Sequence, residues 1–217
     1  MHKNNFDFLR LIFAIFVIIT HSYPLSGVAE EDILFQITNG QTSLSYIGVR
    51  GFFVISGFLI FQSLLRSNSL TDYYWKRALR LFPALFIVLL ITVLLGVFVY
   101  EGSPLVYFSS KSVRTYLPNN LTLYSLQYNI SGVFESNPYK SAINGSLWTI
   151  PYEFTLYIIV SCFFFVRFRD NYIRMILIVL IISIYISNLC LTDYLASLNF
   201  KVLNAKYMSN LALYFLI

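Results

Sequence analysis

Long apolar runs alternate with short charged ones along the whole chain. Crossing the hydrocarbon core of a bilayer as a helix takes about 20 residues. Runs of that order fall at about 6–23, 47–65, 82–100, 147–166 and 173–191, and a sixth starts near Tyr207 and reaches Ile217. The pattern predicts an all-α, polytopic membrane bundle with about six helices in these residues. A sixth run of only eleven residues reads as a helix cut short, so residues 1–217 are expected to be the front part of a larger protein or an atypically short member.

The charged positions between the runs give an orientation. Lys3, Arg66, Lys76, Arg77, Arg80, Arg167, Arg169 and Arg174 fall on one side, and Glu30, Glu31, Asp32, Glu101, Glu135 and Asp193 on the other. Short loops rich in Lys and Arg stay cytoplasmic, which puts the N-terminus inside. The first run carries little positive charge before it and is followed by further spans, so it is expected to stay as a membrane helix rather than be cleaved as a signal peptide. In the inner loop, Thr71 or Asp72 is expected to cap a short interfacial helix, and Pro83 to open the third span. The polar stretch 101–146 is expected outside, with 117–130 as an interfacial or re-entrant piece.

Polar side chains within the apolar runs are the informative ones. Arg10 and His21 stand eleven residues apart in the first run, nearly three helical turns, so both leave the same face. The step covers roughly 16 Å of helix axis. An ionisable residue inside a membrane helix is costly and marks a functional site; the plainer reading is a snorkelling Arg and an interfacial His. Glu153 lies several residues inside the fourth span on the His21 side, where it needs a partner unless it still sits among headgroups. Arg50, at the outer end of the second span, is either an anchor or a substrate contact. Gly48, Gly51, Ser56 and Gly57 offer small surfaces for close helix approach.

Composition agrees: 58% of residues are hydrophobic and only 12% charged, too greasy for a soluble domain. The net charge of +5 is largely accounted for by the inner loops and calls for no nucleic-acid partner. Cys162 and Cys190 lie in apolar runs without a CxxC pattern and are expected as small core residues, not metal ligands or a disulfide. No metal is expected. The three N-x-[ST] triplets at Asn120, Asn129 and Asn144 are too common by chance to use.

The polar groups sort by depth. Arg77 and Arg80, three apart in RALR, share a helical face; they either fix topology or, with Arg10, hold phosphate through paired guanidiniums. His21 and Glu153 lie toward the outside, suited to a general base and a carboxylate that orients it. An acyl-CoA donor fits the division, its anionic end on the arginines and its thioester near His21.

Four segments in register, Arg10 to His21, GVRGFFVISGFLI at 48–60, RALR at 77–80 followed by LFP, and SLWTIPYEF at 146–154, resemble the membrane-bound acyltransferase type 3 family, which includes bacterial O-acetyltransferases of surface polysaccharides. The resemblance implies a bundle of about ten helices, of which this chain covers the first part. It implies transfer of an acyl group, in most cases acetyl, from cytoplasmic acyl-CoA to a sugar hydroxyl across the bacterial inner membrane. The family's first-helix Arg and His carry over to Arg10 and His21, its RxxR to Arg77 and Arg80, and its Trp-to-Glu segment to Trp148 and Glu153. The expected roles are then catalysis for His21 and Glu153, acyl-CoA binding for Arg10, Arg77 and Arg80, and glycan contact for Trp148, joined by Arg50 from its place at the outer end of the second span. Membrane lipid, acyl-CoA and a glycan acceptor are the expected partners. The rival readings are a membrane carrier of lipid-linked sugar, with the charges as its pathway, and an inactive acyltransferase remnant.

Overall fold

The computed structural model describes residues 5–140 and 143–217; Lys3 lies outside them. The chain is almost wholly helical: α1 (Phe6–Leu25), α2 (Ile33–Ile37), α3 (Leu44–Leu65), α4 (Leu70–Val99), α5 (Pro104–Ser109), α6 (Lys111–Leu121), α7 (Ile150–Ser161), α8 (Asp170–Cys190), α9 (Thr192–Ser197) and α10 (Ala205–Leu216). Short 3-10 turns, Gly145–Thr149 and Cys162–Phe165, extend α7 at both ends. An antiparallel ladder, β1 (Asn199–Phe200) on β2 (Leu203–Asn204), precedes α10. α1, α3, α4, α7 with its extensions and α8 are long and apolar enough to cross a membrane, which makes the molecule an all-α, multi-pass membrane bundle.

Outward faces are as apolar as the core, as a lipid environment demands. On α1, Phe8, Leu11, Ile15 and Ile18 are exposed and recur at the helical period, so they form one lipid-facing stripe. On α8 the same period brings Met175, Ile178, Ile182 and Leu189 outward. The two cysteines are free and exposed, contrary to the expected core placement. An apolar neighbourhood does not mark the interior when the surroundings are also apolar.

Three features of α4 differ from the sequence reading. The interfacial helix and the third span are one helix of 30 residues, roughly 45 Å long, which exceeds the ~30 Å hydrocarbon core. Its basic first turns therefore project beyond the apolar layer with no break in the backbone. Pro83 lies inside this helix, where its missing N–H leaves one carbonyl a turn earlier unbonded, a loss that membrane helices tolerate. The cap is Ser69, whose hydroxyl accepts from the Asp72 N–H at 3.0 Å, rather than Thr71 or Asp72.

Side chains pack into two clusters. One joins α3, the start of α4, α7, α8 and α10 around Ile60, Leu64, Tyr73, Leu156 and Phe215. The other joins the remainder of α4 to α5, α6 and the following loop around Leu89, Tyr107, Tyr116 and Ile130. The piece expected to be interfacial or re-entrant, 117–130, is the end of α6 and a loop folded into this second cluster.

The small residues of α3 let neighbours approach backbone to backbone. A Cβ on Gly48 would lie 2.7 Å from the Phe13 carbonyl of α1, and one on Gly57 would overlap the Phe215 carbonyl of α10. Gly57→Ala is therefore expected to cost about 2–3 kcal/mol, the upper part of the overpacking range. Thermal melting in detergent checks this, and an unchanged midpoint would mean that α10 is not seated on Gly57.

The last turn of α1 and the starts of α2 and α3 are tied by one carboxylate. Asp32 is fully buried. Its Oδ1 accepts from the N–H groups of Leu34 and Phe35, and its Oδ2 from the Leu44 N–H at 2.8 Å and the Thr20 hydroxyl at 2.5 Å. Thr20 Oγ1 in turn accepts from the Ser45 N–H. Burial alone would raise the Asp32 carboxyl, but the hydrogen bonds from Thr20 and from the Phe35, Leu44 and Leu34 amides outweigh it and hold it below the usual carboxylate range. A lowered folded-state value means stability that is full above the ordinary carboxylate pKa and is lost as pH falls through the folded one. Asp32→Asn should therefore lower stability by about 2–3 kcal/mol at neutral pH, with a smaller difference from the parent in strong acid, measured by melting across pH.

Candidate functional site

The seven singled-out side chains distribute over two cavities and two packing positions. α1 contributes to both cavities, Arg10 near its start and His21 near its end.

The first cavity, about 300 Å³, is lined by Arg10, Ser56, Arg80, Thr149, Glu153 and Tyr157 with apolar walls from Val49, Phe52, Phe53 and Leu81. Arg10 pairs with Asp7 at 3.6 Å, one turn before it, while its Nη2 is buried and has no hydrogen-bond partner among the described residues. Glu153 Oε1 accepts from the Ser56 hydroxyl at 3.0 Å and from the Tyr157 hydroxyl. Thus α3 and α7 together hold this carboxylate in a cavity that also presents two guanidiniums. The two guanidiniums that line one cavity, Arg10 and Arg80, are a donor set that fits a phosphate-bearing ligand.

Arg77 does not line that cavity. It is nearly buried, its Nη2 donates to Ser63 Oγ at 2.9 Å, and its guanidinium lies 5.6 Å from the Tyr73 ring and 6.0 Å from the Tyr157 ring. Tyr73 donates in turn to the Tyr157 carbonyl at 3.0 Å. Arg77 therefore braces α3, α4 and α7, and only Arg80 of the RALR pair opens into the cavity.

The second cavity, about 310 Å³, is lined by His21, Pro24, Leu25, Glu30, Tyr139, Ile143, Asn144, Gly145, Ser146 and Trp148. His21 Nδ1 stands 3.6 Å from Glu30, too far for a closed hydrogen bond but within ion-pair range. The carboxylate beside the imidazole is thus Glu30; Glu153 faces the arginines. Trp148 is fixed by edge contacts to the rings of Tyr152 and Tyr207, each at 5.7 Å.

Arg50 opens into neither cavity. Its guanidinium lies 3.0 Å over the Tyr46 ring centroid and 5.2 Å from that of Tyr214, with Nη1 donating to the Tyr46 carbonyl at 3.3 Å. It closes α10 onto α3. Sequence reading left Glu30, Ser56, Tyr157, Thr20 and Asp32 without a role: Glu30 and Asp32 counted as outer loop charge, Ser56 as a small packing surface. The clue within reach was spacing, since Tyr157 follows Glu153 by one helical turn. Among the described residues no cluster of three or more His, Cys, Asp or Glu side chains has the geometry of a metal site.

The chain belongs to the acyltransferase family: the model of the family described as "Acyltransferase domain" matches residues 3–217. An "O-acetyl transferase" of Shigella phage Sf6 is 40% identical over 162 residues, 74% of this chain and 46% of that protein. "Nodulation protein 10" of Rhizobium leguminosarum bv. viciae is 34% identical over 175 residues, 72% of this chain and 43% of that protein. The chain thus spans a little under half the length of these relatives. No solved structure matches.

Proposed function

We propose that this chain carries the donor and acceptor sites of a membrane O-acyltransferase. It would move an acyl group, most simply acetyl, from cytoplasmic acyl-CoA to a sugar hydroxyl of a cell-surface polysaccharide or its lipid-linked precursor, in a bacterial inner membrane with the N-terminus cytoplasmic. The observation that carries this reading is the pair of cavities on one helix, guanidiniums in one and an imidazole in the other. The bacterial and phage relatives, one of them named an O-acetyl transferase, support the reaction class.

Arg10 and Arg80 hold the phosphates of the donor, and Glu153, fixed by Ser56 and Tyr157, sets the position and net charge of that cavity. From there the thin acyl-bearing arm runs the roughly 16 Å that separates the two levels of α1. Imidazole is suited to take a proton near neutral pH. His21 takes it from the acceptor hydroxyl as the hydroxyl oxygen attacks the thioester carbonyl. The carbon–sulfur bond breaks, the acyl group stays on the sugar oxygen, and the proton passes from His21 to the leaving thiolate. Glu30, 3.6 Å from Nδ1, stabilises the imidazolium by its charge while it lasts, leaving Nε2 for the hydroxyl.

The test is labelled acetyl-CoA supplied to vesicles of known orientation. Saturable acetyl-CoA binding from the arginine side, with label esterified to glycan, is the expected result. Translocation of a lipid-linked sugar without acetyl-CoA binding would replace the reading with a carrier.

A further inference from the structure

Asn144 holds the N-cap position of the 3-10 turn Gly145–Thr149 but makes no side-chain cap bond, although an Asn there ordinarily accepts from the N–H groups that follow it. Its amide is committed elsewhere. Nδ2 lies 2.6 Å from Thr92 Oγ1 and 3.1 Å from the Tyr116 hydroxyl. With the Thr92 hydroxyl donating to the Val88 carbonyl at 2.8 Å, Thr92 Oγ1 accepts from the group facing it, which assigns the NH2 to that side. The bond network thus assigns the amide orientation, which the heavy atoms alone leave ambiguous.

Both amide protons are therefore spent toward Thr92 and Tyr116, and neither of these lines the His21 cavity, whereas Asn144 does. Oδ1 accepts no hydrogen bond among the described residues, and the residue that carries it lines the cavity. The anchors are buried and come from two helices, α4 and α6. Asn144 thus presents a rigid acceptor to the cavity that holds the imidazole.

Resting on the function proposed above, we infer that Asn144 is a specificity-determining residue for the acceptor: its Oδ1 accepts a hydrogen bond from a second hydroxyl of the sugar whose first hydroxyl faces His21. The surroundings suit a sugar. The cavity is at the small end of the range for ligand pockets, which limits it to about one pyranose unit. Trp148 and Tyr139 supply aromatic faces, and Glu30 and Ser146 further polar edges. Preorganised acceptors of this kind discriminate because an analogue lacking the hydroxyl leaves them unpaired. Thr92 and Tyr116 act as positioning residues through Asn144.

The experiment uses the full chain in lipid nanodiscs with Trp75→Phe, which leaves Trp148 as the remaining tryptophan of the two. A panel of methyl pyranosides and their monodeoxy analogues is titrated against its fluorescence, with acetyl-CoA binding followed separately. At least one pyranoside is expected to give a saturable change, and Asn144→Ala to weaken it about tenfold with acetyl-CoA affinity unchanged. Thr92→Val is expected to weaken it in the same direction. One monodeoxy analogue should bind the parent and Asn144→Ala equally, because the bonded hydroxyl is gone. Equal weakening of every analogue, or no response of Trp148 to any pyranoside while acetyl-CoA binds, overturns the inference and leaves the donor side of the reading standing. Failure of the unsubstituted protein to bind acetyl-CoA overturns the reading beneath it.

Discussion

His21→Ala is expected to reduce acyl transfer by about 10²–10⁴-fold, the range supplied by a positioned general base, with acetyl-CoA affinity unchanged. The asymmetry follows from geometry: His21 and the arginines line different cavities, so removing the imidazole leaves the guanidiniums where they were. Glu30→Gln should give a smaller loss, because the amide keeps the shape of the wall but not the charge facing Nδ1 at 3.6 Å. Glu153→Gln, by contrast, should act on donor binding, since its carboxylate lies with Arg10 and Arg80. Transfer and donor binding are measured on the same vesicles. If His21→Ala lowered both in parallel, the two cavities would be one functional unit and the division of roles would fall.

The helical spans were legible because the hydrophobic period and the length needed to cross a bilayer leave little freedom. The misreadings came from judging local signals without the membrane around them. Pro83 signals a helix start in a soluble chain, yet a continuous helix carries it here, since neighbouring helices can compensate a lost hydrogen bond. Cys162 and Cys190 sit in apolar runs and still face outward, because lipid contributes the same signal as a core. Small residues transferred best: Gly48 and Gly57 were marked for close approach and do meet the backbones of α1 and α10.

At the site, the step from Arg10 to His21 placed both on a helix that serves two cavities. What depth alone could not give was partnership. Glu153 shares a level with the outer residues along its own helix, but Ser56 on α3 and Tyr157 one turn later draw it to the arginines. The His21 partner comes instead from the loop after α1, whose entry is fixed by the Thr20–Asp32 bond. A pairing of this kind depends on how loops fold back, and no local period encodes it.

The pair in RALR separates the two kinds of arginine most sharply. Arg80→Ala is expected to weaken acetyl-CoA binding about 10–100-fold, the loss of charge-assisted hydrogen bonds to phosphate, with little change in melting temperature, because Arg80 lines the cavity as an exposed side chain with no hydrogen bond or ion pair among the described residues. Arg77→Ala should instead cost about 2–3 kcal/mol of stability. It deletes a nearly buried side chain between two tyrosine rings and leaves Ser63 without its donor. Arg77→Met refines the point: a buried cation that closes no salt bridge among the described residues gives back part of its desolvation cost when replaced by an apolar chain of similar length, so Met should restore much of what Ala loses and bind donor normally. Acetyl-CoA titration and thermal melting of the three variants measure both quantities at once. A large loss of donor affinity in Arg77→Met, at unchanged stability, would return Arg77 to the phosphate-binding pair and remove the distinction drawn from its contacts.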